Sequence, residues 1–218
     1  MNTVISPSLL ACDFLNIENE LKHFEDVKHL WFHLDIMDGH FVPNLTFGQP
    51  IIKKISQKTK QPLDAHLMVS NPEFYIESLK DMNLHNFTWH IEAQSEDVLS
   101  LISKAKKHYS SVGLSIKPKS NLNLLSDEIL CAIDLVLVMS VEPGFGGQKF
   151  IEETYERISA LVKRRKNLGL SFSIQVDGGV NEHNAKKLID AGADNLVAGS
   201  YIFKEGPNKY LEKINSLR

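Results

Sequence analysis

Short apolar runs rich in valine, isoleucine and leucine alternate along the chain with longer stretches whose apolar residues recur at helical spacing. The runs cover residues 3–8, 30–36, 62–68, 86–92, 111–117, 135–141, 172–177 and 195–199, and a buried strand is predicted at each. Between them the period predicts helices over 16–29, 71–82, 148–167, 181–191 and 207–217. Asn71, Pro72 and Glu73 mark the start of the second helix, because asparagine caps free N–H groups and proline suits a first turn. Eight strand–helix units in 218 residues allow about 27 residues each, near the lower limit for a (β/α)8 barrel. A doubly wound sheet is the second choice, since no GxGxxG follows the first strand. No linker or composition break interrupts the pattern. The expectation is therefore an α/β protein, one (β/α)8 TIM barrel domain over 1–218.

In such a barrel, functional side chains gather at the C-terminal ends of the strands. Side chains alternate with period two along a strand, so His33, Asp35 and Met37 share one face while Leu34 and Ile36 take the other. The aliphatic face suits the helix layer, which turns the polar face inward. The same parity points Asp64, His66 and Met68 inward, and Gln175 with Asp177. Two histidines and two aspartates converging on one barrel mouth suggest a divalent-cation or acid/base site, and a cation would balance carboxylates that are costly to bury alone.

A second constellation is glycine-rich. The sixth run leads into Pro143-Gly144-Phe145-Gly146-Gly147-Gln148, the seventh into Asp177-Gly178-Gly179, and the eighth into Ala198-Gly199-Ser200. Glycines let backbone N–H groups approach an anion closely. One glycine turn is ordinary, but three on neighbouring strands predict a phosphate site, the usual place for one in this fold.

Composition narrows the partners. Hydrophobic residues make up 43% and charged ones 23%, as in a folded soluble domain. Twenty-four basic against 27 acidic side chains leave a net charge of −3, which gives no reason to expect nucleic acid. No long apolar segment or signal-like N-terminus is present, so neither a membrane nor secretion is expected. Cys12 and Cys131 have no metal-type spacing and fit a reducing cytoplasm.

The segments SPSLLACDF, HLDIMDGHFVPNLTFG, DAHLMVSNP, MSVEPGFGGQKF, QVDGGV and AGSYIF, in this order and spacing, resemble the ribulose-phosphate 3-epimerase family from about Ser6 to Phe203. The resemblance implies a metal-dependent epimerase of the pentose phosphate pathway that interconverts D-ribulose 5-phosphate and D-xylulose 5-phosphate. It implies one divalent ion, zinc or iron(II) first and manganese or cobalt next, on His33, Asp35, His66 and Asp177. Asp35 and Asp177 would be the acid/base pair. Contacts to the sugar phosphate would come from Ser8, His66, Asp177, the loop Gly144, Phe145, Gly146 and Gly147, and the phosphate turns Gly178, Gly179, Gly199 and Ser200. A homo-oligomer is also implied. Lys117 stands where many relatives have asparagine.

Inverting C3 of a ketose phosphate means removing a proton from one face and returning one to the other, through an enediolate that a metal would stabilise. One carboxylate would return the proton to the side it left, so two are required. Met37, Met68 and Met139 are expected to line the site as an uncharged wall. Asp38 is expected to organise a turn, Asp64 to accept hydrogen bonds inside the barrel, and His90 with Glu92 to support the ligands from behind. Two other functions stay open: an allulose-6-phosphate 3-epimerase, and a sugar-phosphate-binding protein without catalysis.

Overall fold

The computed structural model describes residues 3–93 and 97–218. Its strands are β1 Val4–Pro7, β2 Phe32–Met37, β3 Leu63–Met68, β4 Asn86–His90, β5 Ser111–Ile116, β6 Leu135–Met139, β7 Ser173–Asp177 and β8 Asn195–Ala198. Seven fall within their apolar runs, and β2 extends one residue past its run, to Met37. They form one parallel sheet in the order β1-β8-β7-β6-β5-β4-β3-β2. Single bridges from Ile5 to Leu30 and from Ser8 to His33 bring its two ends together. The result is a nearly closed (β/α)8 TIM barrel.

The helices are α1 Ile17–Lys22, α2 Gln49–Ser56, α3 Pro72–Ser78, α4 Val98–Ala105, α5 Asp127–Ala132, α6 Thr154–Asn167, α7 Ala185–Ala191, α8 Ser200–Phe203 and α9 Tyr210–Asn215. Asn71 caps α3 as expected, its side chain accepting from Phe74 N–H at 3.2 Å. The expected helix over 148–167 starts six residues late, at Thr154, because the glycine-rich loop after β6 runs on through 153. The expected helices over 16–29 and 207–217 shorten to α1 and to a 3-10 turn followed by α9. No helix among the described residues is long and apolar enough to cross a membrane.

Alternation builds two separate interiors. Leu34, Ile36, Ala65, Leu67, Val136, Val138, Ile174 and Val176 face outward into the main core against the helices. Inside the barrel, β6 contributes Leu135, Leu137 and Met139, which pack with Trp31. The remaining staves fill the barrel with buried polar side chains such as Ser6, Asp64, Asn86, Thr88 and Gln175. Gly113 of β5 leaves room for them, since a Cβ there would lie 2.4 Å from Thr88 Oγ1.

Candidate active site

Four ligand atoms converge at the floor of the barrel mouth. His33 and Asp35 on β2, His66 on β3 and Asp177 at the end of β7 each turn one atom inward, all within 4.8 Å of one another. His33 Nε2 lies 3.3 Å from His66 Nδ1, 3.6 Å from Asp35 Oδ1 and 3.7 Å from Asp177 Oδ2. His66 Nδ1 is 3.4 Å from the same Asp35 oxygen and 3.6 Å from the same Asp177 oxygen. Separations of this size suit a tetrahedron whose centre is about 2.1 Å from each corner, the bond length of zinc to nitrogen or oxygen. Two neutral nitrogens and two carboxylate oxygens therefore fit a divalent transition metal.

Three of the four ligands are held from behind by side chains. Asp35 Oδ2 accepts from the Ser8 hydroxyl at 2.5 Å, leaving Oδ1 for the cluster. His33 Nδ1 lies 2.7 Å from Asp64 Oδ2. Asp64 also accepts from Asn86 at 2.6 Å and from Gln175 at 2.6 Å, which makes this fully buried carboxylate a hub of the barrel interior. A carboxylate anchoring a histidine in this way fixes the ring and its proton.

The two cluster aspartates have opposite proton affinities. Burial alone would raise Asp35, but the charges and hydrogen bonds of His33 and His66 outweigh it and hold Asp35 well below the usual carboxylate range. Asp177 is pushed up to about 6 by burial and by the neighbouring charge of Asp35, against the pull of the two histidines. His33 is desolvated, yet Asp35 and Asp64 raise its affinity well above the ordinary value. Two carboxyls in one pocket, one ionised and one inclined to keep its proton, are a recurrent acid/base arrangement.

Above this floor opens a cavity of about 500 Å³. Ser8, Asp35, Asp177, Gly144, Phe145, Gly146, Gly147, Gly178, Gly179, Gly199, Ser200, Met37, Met68 and Met139 all line it. His33 and His66 are fully buried beneath it, so His66 reaches the cavity through the cluster and does not form its wall. Gly178 and Gly179 have φ of +123° and +64°, and a Cβ on Gly179 would lie 2.9 Å from the backbone nitrogen of Phe150. No side chain fits there, which lets the turn run close under the cavity.

Other residues behave as their positions suggested. Asp38 Oδ1 accepts from the N–H groups of His40 and Phe41 at 2.8 and 2.9 Å; its other oxygen accepts from Ser70 N–H at 2.7 Å. It organises the turn after β2 and touches no ligand. β4 ends at His90, and the chain then turns so that Glu92 folds back on His90.

Several participants left little trace in the sequence. Lys204 carries the one cationic side chain among the described residues lining the cavity. Ser140 donates to the carbonyl oxygens of Asp177 and Gly178, while Asn181 and Asn184 both donate to the Gly179 carbonyl at 3.0 Å. Gln148 donates to the carbonyls of Glu142 and Phe145, and Asn44 to that of Gly144 at 2.9 Å. For all but Asn44, a place close to the glycine motifs is the available signal, but nothing in the spacing shows which carbonyl each holds.

Solved structures of similar shape include the tryptophan synthase alpha-subunit of Pyrococcus furiosus, with TM-score 0.65 and 15% identity over 99% of this chain and 97% of that one. Tryptophan synthase from Mycobacterium tuberculosis matches at TM-score 0.68 and 13% identity, over 99% and 91%. At such identity the likeness is one of fold. The sequence relatives are much nearer. The ribulose-phosphate 3-epimerase of Treponema pallidum is 43% identical over 91% of this chain and 90% of its own. The cytoplasmic isoform from Oryza sativa is 42% identical over 98% and 92%, and the Synechocystis enzyme 38% over 100% and 94%. The model of the ribulose-phosphate 3 epimerase family matches residues 4–203, and the chain belongs to that family.

Proposed function

We propose that this chain interconverts D-ribulose 5-phosphate and D-xylulose 5-phosphate by removing a proton from one face of C3 and delivering another to the opposite face. The observation that carries the proposal is the pairing of Asp35 and Asp177 at one cavity floor, with one carboxyl held ionised and the other raised to about 6. They come from β2 and β7, which β1 and β8 separate around the barrel closure. In one direction the Asp35 carboxylate accepts the C3 proton while the Asp177 carboxyl delivers its own to the other face; the reverse reaction exchanges the roles.

The rest of the cavity supports this chemistry. Met37, Met68 and Met139 form an uncharged wall that excludes water from the reacting carbon. Gly178, Gly179, Gly199 and Ser200 would hold the phosphate through backbone N–H groups, and the loop Gly144 to Gly147 would cover the sugar. His33, Asp35, His66 and Asp177 would hold a divalent ion, zinc or iron(II) first and manganese or cobalt next. Such an ion supplies positive charge that offsets the carboxylates and favours negative charge on the substrate oxygens.

The working form is proposed to be a cytoplasmic homo-oligomer. Exposed Phe14, Leu15 and Leu45 on loops, with Phe74 on α3, near the barrel mouth support the second part, which light scattering would test. A ketohexose 6-phosphate such as allulose 6-phosphate is the competing substrate, since it presents the same C3 chemistry with one more carbon before the phosphate. Measuring kcat/KM for both phosphates tests the choice: the pentulose phosphate is expected to lead, and a higher value for the hexulose phosphate would reverse it.

A further inference from the structure

The two histidines of the cluster use different ring nitrogens. His33 turns Nε2 toward the other ligands, and Asp64 fixes the proton on its Nδ1 directly. His66 turns Nδ1 toward them, and its Nε2 lies 3.0 Å from Nε2 of a second histidine, His90. Two facing nitrogens share one proton. If His66 Nδ1 is to offer a lone pair to a cation, that proton belongs to His66, and His90 must accept it.

His90 then carries its own proton on Nδ1, which lies 3.3 Å from Glu92 Oε2. The other Glu92 oxygen accepts from the Lys117 backbone N–H at 2.8 Å, and the Ser120 hydroxyl also bonds this carboxylate. Arg157 of α6 secures the loop by donating to the carbonyls of Ser120 and Lys117 at 2.8 and 3.1 Å. From the other side, the Lys117 ammonium lies 3.9 Å from the centre of the Phe41 ring, and that ring packs 4.9 Å from the ring of His90.

We infer that Glu92 is a positioning residue which, acting through His90, sets the tautomer of His66 and keeps His66 Nδ1 free to bind a cation. The inference rests on reading the four-residue cluster as a cation site. Lys117 gains a role in the same brace, its backbone aligning Glu92 and its side chain holding Phe41 against His90.

The brace predicts that an isosteric change is worse than a truncation. A backbone N–H can only donate, so in Glu92→Gln the amide oxygen is committed to Lys117 and the NH2 group faces His90 Nδ1. His90 must then accept at Nδ1 and carry its proton on Nε2. That proton points at His66 Nε2 and drives the His66 proton onto Nδ1, where it blocks the ligand lone pair. In Glu92→Ala, water can still accept from His90 Nδ1, and the relay keeps its direction.

The test uses zinc itself, with affinity measured by competition against a chromophoric chelator, and 15N NMR of the histidine rings in the zinc-loaded wild type. Glu92→Gln is expected to weaken zinc binding on the order of 10- to 100-fold, the scale of lost support behind a metal ligand, and Glu92→Ala by less. The wild-type spectrum should show His66 protonated on Nε2 and His90 on Nδ1. Glu92→Gln binding as tightly as wild type, or better than Glu92→Ala, would overturn the inference, and so would a proton on His66 Nδ1. The wild-type spectrum decides even if neither variant folds. Absence of zinc binding by the wild type would instead remove the reading of the cluster beneath it, a different failure.

Discussion

The two ends of the cavity are made of different material. Its floor consists of side chains on β2, β3 and β7, of which Asp35, His33 and His66 are locked by Ser8, Asp64 and His90. Its other end consists largely of backbone, at Gly178, Gly179 and Gly199, where an added side chain would crowd its neighbours. At the floor, chemistry depends on which atom a side chain presents. At the glycine end it depends on having no side chain at all. Changes at the floor should therefore strike turnover, and changes at the glycine end should strike substrate binding and stability.

The largest expected effect lies at the floor. Asp177→Asn should lower kcat on the order of 10²- to 10⁴-fold, the usual contribution of a positioned acid/base group, in a protein with unchanged circular dichroism. Unchanged turnover would remove the role assigned to Asp177. Chelation comes next: stripping the protein of divalent ions should abolish most activity and adding zinc or iron(II) should restore it, whereas full activity at undetectable metal content would exclude dependence on the ion.

At the glycine end, Gly179→Ala forces a Cβ onto a φ of +64° and into the Phe150 backbone. It should lose on the order of 1–3 kcal/mol of stability and raise KM for the sugar phosphate more than it lowers kcat. A variant with wild-type KM would mean that the turn does not contact phosphate. Stability separates the two ends a second time. Asp177 titrates near 6 when folded and near 3.9 when unfolded, so between these values the folded state holds more protons and stability falls as pH rises. Above about 6 the loss is complete. In metal-free protein at pH 7.5, Asp177→Asn should therefore melt higher than wild type, although it is the poorer catalyst; a lower melting temperature would contradict this.

The smallest effect concerns the thiols. Burial, with the charges of Glu20 and Asp13, pushes Cys12 up to about 12, while Cys131 is exposed. Alkylation at pH 8 should label Cys131 well before Cys12, and mass spectrometry of a time course would show the order.

The same contrast explains what could be read from the chain. Period-two alternation fixed the floor: His33 and Asp35 on one face of β2, with His66 and Asp177 at the ends of their strands, are legible because a strand leaves few choices of direction. The glycine motifs marked the other end for a related reason, since positive φ at Gly178 and Gly179 admits little else. What stayed hidden depends on distant folding. Lys204 reaches the cavity from beyond α8, and Arg157 finds the loop at Lys117 across 40 residues. Glu92 lies two residues past His90, as Asp35 does past His33, yet the strand stops at His90 and Glu92 turns back. Spacing alone could not show that.

Removal of a proton from one face and delivery of a different one to the other is tested most directly in a single turnover of ribulose 5-phosphate by wild-type enzyme in deuterated water. Two carboxyls predict xylulose 5-phosphate carrying solvent deuterium at C3 and none of the substrate's protium there. Product that retains the substrate's protium would contradict the assignment of Asp35 and Asp177 to opposite faces, and absence of product would contradict the activity itself.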